Sequence, residues 1–115
     1  MLKLKPYYGK VAPLSLDDAL KILDDLFPIE EKEYIKTNSE NCMHAYHMSV
    51  GMMIRNQWGF WKGNGALFDF FKLKGIVHPD DMSGIILKSY WRQMNHVDID
   101  LDQQIEYYKN YWKYI

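Results

Sequence analysis

The sequence has a single cysteine, Cys42, so an internal disulfide cannot form. No apolar run is long enough to cross a membrane, and the charged start at residues 1–8 is not followed by an apolar stretch of signal-peptide length. Basic clusters are also missing: 14 Lys and Arg are mixed among 15 Asp and Glu, which argues against a nucleic-acid binder. These absences favour a cytoplasmic protein that contacts neither nucleic acid nor membrane and is held together by its core.

The sequence contains enough hydrophobic residues to form such a core. The chain has 115 residues, 48% of them hydrophobic and 25% charged, which is typical of one globular domain spanning residues 1–115. Prolines at Pro6 and Pro13 predict an extended lead-in over residues 1–14.

Beyond the lead-in, apolar residues recur at three- and four-residue steps, which predicts an all-α protein, a compact orthogonal bundle of about five to six helices. A capping Ser15 precedes the first helix, and Pro79 follows His78 at the start of a long, apolar and therefore central helix. The predicted helices cover residues 16–27, 29–36, 41–56, 66–74, 79 to the mid-nineties, and 101–114.

The strongest candidate site combines two segments. One is the helix end and glycine-rich loop of residues 55–65, and the other is the helix start at residues 78–81. Polar groups that converge among aromatic rings are typical of binding sites. The candidate binding residues are Arg55, Asn56, Trp58, Trp61, Asn64, His78, Asp80 and Asp81.

A purely structural interpretation of the same residues is open. Arg55 suits a helix C-terminus and has acidic partners in Asp80 or Asp81, while asparagines, glycines and indoles shape loops. The functional interpretation instead requires a cleft in which Arg55 is unpaired.

This arrangement resembles a family of small uncharacterised bacterial helical domains. The similarity rests on Leu14-Ser-Leu-Asp-Asp-Ala19, on Gly51-Met-Met-Ile-Arg-Asn56 followed by Gly59-Phe-Trp61 and Gly63-Asn64, and on Pro79-Asp-Asp81. It covers roughly residues 13–95. An added Phe70-Phe71 pair and the aromatic helix 101–114 depart from the family pattern. The resemblance implies a fold and a site location but no chemistry.

Catalytic and metal-binding patterns are weak. His44 and His47 could share a metal only with a third and a fourth ligand, for which His78 and Cys42 are the candidates, and solvated or core-edge histidines are the favoured interpretation. Cys42 and the aspartate pairs are explained by burial, solvation or helix dipoles. We expect no catalytic residues, no metal and no cofactor.

The last helix carries aromatic residues on more sides than one core face needs. Tyr and Trp dominate the energetically important positions of protein interfaces, so we expect a protein partner here. Packing against Tyr7 and Tyr8 of the lead-in and self-association are alternatives. The candidate interface residues are Tyr107, Tyr111, Trp112 and Tyr114.

The favoured function is a non-catalytic protein-interaction module, such as an immunity or regulatory protein. The alternative is a small-ligand or enzymatic cleft around Arg55, Trp61, Asn64, His78 and Asp80. A homo-oligomer is the third possibility.

Overall fold

The computed structural model describes residues 12–114, and most of the predicted lead-in, with Tyr7 and Tyr8, lies outside the described residues. Within them the chain is all-helical, which confirms the predicted class, and no strand occurs there. Seven helical segments are present, so the predicted count of five to six was too low. They are α1 (Leu16–Leu26), α2 (Ile29–Thr37), a 3₁₀ helix (Glu40–Tyr46), α3 (Val50–Gln57), α4 (Ala66–Leu73), α5 (Pro79–Met94) and α6 (Leu101–Lys113).

The extra segment arises where one helix was predicted over residues 41–56. That prediction was wrong, because the 3₁₀ helix ends at Tyr46 and the backbone of Ser49 leaves the helical region, with φ −112° and ψ −85°. The interruption leaves the carbonyl of His47 free to accept a hydrogen bond from Arg55 Nη2 at 3.0 Å. The apolar stripe of Met43, Tyr46, Val50 and Ile54 is nevertheless buried. The apolar spacing therefore predicted the buried face correctly but not the continuity of the helix.

Helix α1 begins where its cap predicts. Ser15 Oγ accepts a hydrogen bond from the backbone amide of Asp18 at 3.1 Å, which satisfies one of the unpaired amides of the first turn. Ala19, Leu20, Leu23 and Leu26 bury one face of the helix in the core.

Helix α5 lies at the centre of the fold and contacts α1, α2, α3, α6 and the 3₁₀ helix. Near its C-terminus, Arg92 Nε and Nη2 both lie 3.0 Å from Glu40 Oε1, and Nη1 donates to the carbonyl of Ile99 at 2.7 Å. These bonds fix the 3₁₀ helix and the approach to α6. The opposite end of α5 carries the candidate site.

None of the helices within residues 12–114 combines the length and the apolar character needed to span a membrane.

Candidate functional site

Arg55 joins α3 to the start of α5. Its side chain is almost completely buried, and Nε lies 3.3 Å from Asp80 Oδ1. Nη1 donates to Ser83 Oγ at 2.8 Å, and Nη2 donates to the carbonyl of His47 at 3.0 Å. Ser83 in turn donates to the backbone carbonyl of Asp80. All three guanidinium nitrogens are therefore engaged, and Arg55 is held by two separate parts of the chain, the start of α5 and the backbone at His47.

Gly51 makes room for this guanidinium. A Cβ at position 51 would lie 2.8 Å from Arg55 Nη1 and 3.4 Å from the carbonyl oxygen of Tyr46. Glycine inside a helix costs about 1 kcal/mol relative to alanine. The close approach of an arginine that is fixed at its other contacts accounts for that cost.

His78 caps α5 with its ring. Nδ1 accepts a hydrogen bond from the backbone amide of Asp80 at 3.0 Å, and Pro79 occupies the first helical position. An Nδ1 that accepts carries no proton, so the 3.9 Å separation between this nitrogen and Asp80 Oδ2 is not an ion pair. The carboxylate of Asp80 is paired with Arg55 alone.

The loop of residues 58–65 packs one tryptophan inward and presents the other. Trp58 is buried, whereas Trp61 is 55% exposed with its ring centroid 6.0 Å from that of His78. Gly59, at φ +79°, lies against Asn64, whose backbone amide donates to the carbonyl of Gly59 at 3.3 Å. The backbone at Gly59 thus closes the loop and brings Trp61 beside the start of α5.

Helix α6 reaches the same place from the other side. Trp112 Nε1 donates to Asp81 Oδ2 at 2.7 Å, and the indole stacks on His78 with centroids 6.0 Å apart and planes at 19°. Tyr111 meets Trp112 edge-on at 5.3 Å. The rings of Trp61, His78, Trp112 and Tyr111 therefore form an unbroken series across three elements. We call this series, with the adjacent Tyr107, the aromatic face.

Two cavities open beside the first turn of α5. One, of about 370 Å³, is lined by aromatic-face rings together with Asp80, Asp81 and Tyr108. The other, of about 310 Å³, shares those last three residues and extends to His44, His47 and Lys88. The phenol of Tyr108 comes close to the helix because Gly84 has no side chain: a Cβ there would lie 2.7 Å from the hydroxyl.

Burial shifts the titration of the groups around these cavities. Burial raises the pKa of Asp81, against the hydrogen bond from Trp112, which lowers it. Burial lowers the pKa of Lys88, whose Nζ lies 4.9 Å from the ring centroid of Tyr107. Burial, followed by the charge of Asp81, raises the pKa of Tyr108 to about 12. Perturbed groups that share a cavity are more common at functional sites than elsewhere.

A family model described as domain of unknown function (DUF6794) matches residues 12–94. The chain belongs to this family. The match confirms the resemblance to an uncharacterised domain family. Among curated proteins and among solved structures nothing matches significantly.

The DUF6794 match contains only part of the aromatic face. Trp61 and His78 lie inside it, together with Arg55 and both aspartates, but α6 begins after its last residue. The aromatic face is therefore composed of the family domain and a helix beyond the matched residues.

The structure brings together some of the predicted site residues and separates others. The residues that meet are Arg55, Trp61, His78, Asp80 and Asp81. Trp58 belongs to the core of this DUF6794 chain, Asn64 closes the loop, and Asn56 is exposed without a side-chain hydrogen bond to residues 12–114. Because a small-ligand cleft required an unpaired Arg55, its full engagement argues for the structural interpretation of that residue.

All four candidate interface residues of α6 are exposed, with fractions from 49% at Trp112 to 79% at Tyr114. Sequence reasoning treated this helix and the α5 start as separate surfaces, whereas the structure joins them through Trp112 and His78. It also missed Ser83 and Tyr108. Ser83 lies three residues after Asp80 on the same face of a helix predicted to be central, and that spacing was a signal of a polar partner for its hydroxyl.

Among residues 12–114 no group of three or more His, Cys, Asp or Glu side chains is placed to hold a metal ion. His44 and His47 both line the smaller cavity, and together with its two aspartates they do not form such a group. The arrangement as a whole suits non-covalent recognition by rings and carboxylates.

Proposed function

We propose that the protein is a non-catalytic interaction module that binds another protein through the aromatic face. The observation that carries this proposal is the continuous series of rings from the exposed Trp61 through the half-buried His78 to the exposed Trp112 and Tyr111. Large exposed apolar groups that are contiguous, rather than scattered, mark interaction surfaces. An immunity or regulatory protein, which acts by occupying another protein, fits this description.

The energetics of the aromatic face also favour a protein partner. Each Tyr or Trp offers a large contact area while only two side-chain torsions have to be ordered, so binding costs little conformational entropy. His78 and Trp112 are already held by a cap and a hydrogen bond, which reduces that cost further. The adjacent Asp80 and Asp81 add a negative charge that selects a basic surface.

The test is affinity capture from cells of the source organism with matched variants as bait. The wild-type chain and Tyr34→Ser, which removes an exposed ring on α2, are expected to retain the same specific partner. Trp61→Ser, which removes an exposed ring of the aromatic face, is expected to lose it. If Trp61→Ser still captures the partner, the aromatic face is excluded as the binding surface.

A further inference from the structure

The larger cavity beside the aromatic face has an uncompensated negative charge. Asp81 is 9% exposed and is the one acidic residue among the buried residues of the described chain. Its Oδ2 accepts from Trp112, but no Lys, Arg or His within residues 12–114 forms an ion pair with it. Its Oδ1 accepts no hydrogen bond from that part of the chain. Oδ1 is not among the sealed side-chain atoms of residues 12–114, so solvent reaches it, but the carboxylate as a whole is largely desolvated, and a cation in the cavity would stabilise its charge.

The neighbouring groups do not supply that cation. Arg55 is committed to Asp80, and Nδ1 of His78 is occupied as the acceptor of the α5 cap. The ammonium of Lys88 lies over the rings of Tyr107 and Tyr108, at 4.9 and 5.3 Å from their centroids, on the side of the smaller cavity. The N-terminus of α5 contributes only about half a positive charge. Asp80 with Arg55 is neutral, so Asp81 leaves the site with net negative charge.

The free acceptors favour an ammonium over a guanidinium. Asp80 Oδ1 pairs with Arg55 and Asp81 Oδ2 accepts from Trp112, so one oxygen of each carboxylate is without a donor from residues 12–114. An arginine fork binds best to both oxygens of one carboxylate, whereas a lysine ammonium is a compact charge with three rotatable donors. The rings of Tyr111 and Trp112 line the same cavity and suit a hydrocarbon stem that ends in a cation.

We propose that this cavity of about 370 Å³ receives a lysine side chain of the protein partner, with the ammonium at the free oxygen of Asp81 and the stem against Tyr111 and Trp112. This inference rests on the proposed function for the identity of the partner. The cavity itself can be tested without a partner.

The experiment is an NMR titration of the full ¹⁵N-labelled chain with Nα-acetyl-lysine methylamide, followed at the indole Nε1–H signal of Trp112. That proton lies on the hydrogen bond to Asp81, so it reports directly on the cavity. The signal is expected to shift and to saturate with a dissociation constant on the order of millimolar, as suits so small a ligand. Nα-acetyl-norleucine methylamide has a similar stem without the charge, and it is expected to leave the signal in place.

Two variants complete the test. Asp81→Asn keeps an acceptor for Trp112 but removes the charge, and is expected to weaken binding by about tenfold or more. Asp17→Asn removes an exposed aspartate from the first turn of α1 and is expected to bind as wild type does. Equal shifts with the norleucine compound, or unchanged affinity in Asp81→Asn, would overturn the proposal. The norleucine comparison uses the wild-type chain, so it decides the question even if Asp81→Asn does not fold.

The two proposals fail separately. Binding of the lysine compound with no partner captured through the aromatic face would refute the proposed function and retain the cavity as a lysine site. A captured partner without binding of the lysine compound would refute the lysine site alone.

Discussion

Trp112 Nε1 donates a 2.7 Å hydrogen bond to Asp81 Oδ2 and so ties the last helix to the first turn of α5, 31 residues earlier. The indole also stacks on His78, and this bond is the polar interaction that holds it there. The bond fixes the indole at the edge of the cavity that the aromatic face borders.

Replacing Trp112 with phenylalanine tests the contribution of this bond. A ring that can stack on His78 remains, but Asp81 loses its donor, and we expect a loss of about 1–2 kcal/mol in the free energy of unfolding. Urea denaturation measures it. Trp61→Phe is the matched control, because Trp61 makes no side-chain hydrogen bond to residues 12–114, and its cost is expected to be near zero. Equal losses in the two variants would mean that the bond contributes nothing measurable.

Arg55 is expected to be a major determinant of stability. Arg55→Ala removes three engaged nitrogens and leaves Ser83 and the carbonyl of His47 without their donor, so we expect a loss of about 2–4 kcal/mol. Asp80→Asn removes the charge of a partner that is itself 44% exposed, while the buried guanidinium keeps its bonds to Ser83 and to the carbonyl of His47, so the expected loss is smaller than that of Arg55→Ala. The shift of the urea midpoint, at an unchanged dependence of the unfolding free energy on urea concentration, gives the loss of stability for each variant. A smaller loss for Arg55→Ala than for Asp80→Asn would contradict the account.

Gly51→Ala should destabilise the protein despite the better helix propensity of alanine. The new Cβ would come within 2.8 Å of Arg55 Nη1, and that guanidinium is fixed by its other contacts. In the Arg55→Ala background the clash is absent, so the same substitution should stabilise by about 1 kcal/mol. A double-mutant cycle measures the difference. If Gly51→Ala has the same effect in both backgrounds, Arg55 is not the reason for the glycine.

Asp81 gives the protein a defined pH dependence. Its pKa is raised in the folded state, so the folded protein holds this proton more tightly than the unfolded chain does. The associated stability is fully present below the unfolded pKa and is lost as pH rises through the folded pKa. Asp81→Asn has no such proton to lose, so its stability relative to wild type should increase from about pH 3 to about pH 7.

Urea unfolding of wild type and Asp81→Asn across this range is the measurement. The helix dipole and the hydrogen bond from Trp112 favour a charged Asp81 and oppose the expected trend, whereas burial is the largest cause of the raised pKa. If the stability of Asp81→Asn relative to wild type falls with rising pH, the effects that favour a charged Asp81 outweigh burial. Greater stability combined with weaker lysine binding is the pattern expected of a residue retained for binding rather than for folding.

Local signals in the sequence predicted most of the helices. Ser15 and Pro79 mark helix starts because caps and proline act within one turn, and the 3.6-residue spacing identified the buried faces of α1 and α5. The break at residues 47–49 was not predictable in this way. The carbonyl of His47 that the break leaves free accepts a hydrogen bond from Arg55, and sequence spacing does not contain that tertiary contact.

In the candidate site, too, local signals were predictable from the sequence and tertiary contacts were not. The pairing of Arg55 with Asp80 followed from opposite charges at two helix ends, and sequence reasoning named it as one of two options. The contact between Trp112 and Asp81 could not be predicted from the sequence, because the path of residues 95–100 decides where α6 lies. Within this segment His96 and Asp100 adopt left-handed backbone conformations, which periodicity does not reveal.

Site-specific photo-crosslinking in cells of the source organism tests the central claim most directly. A photoreactive phenylalanine analogue replaces Tyr111 on the aromatic face or, as the control, Tyr34 on α2; both side chains are exposed. The account predicts a discrete crosslinked protein at position 111 that is absent at position 34 and is lost when Trp61→Ser is added. Crosslinks of the same kind at both positions, or at position 34 alone, would contradict it.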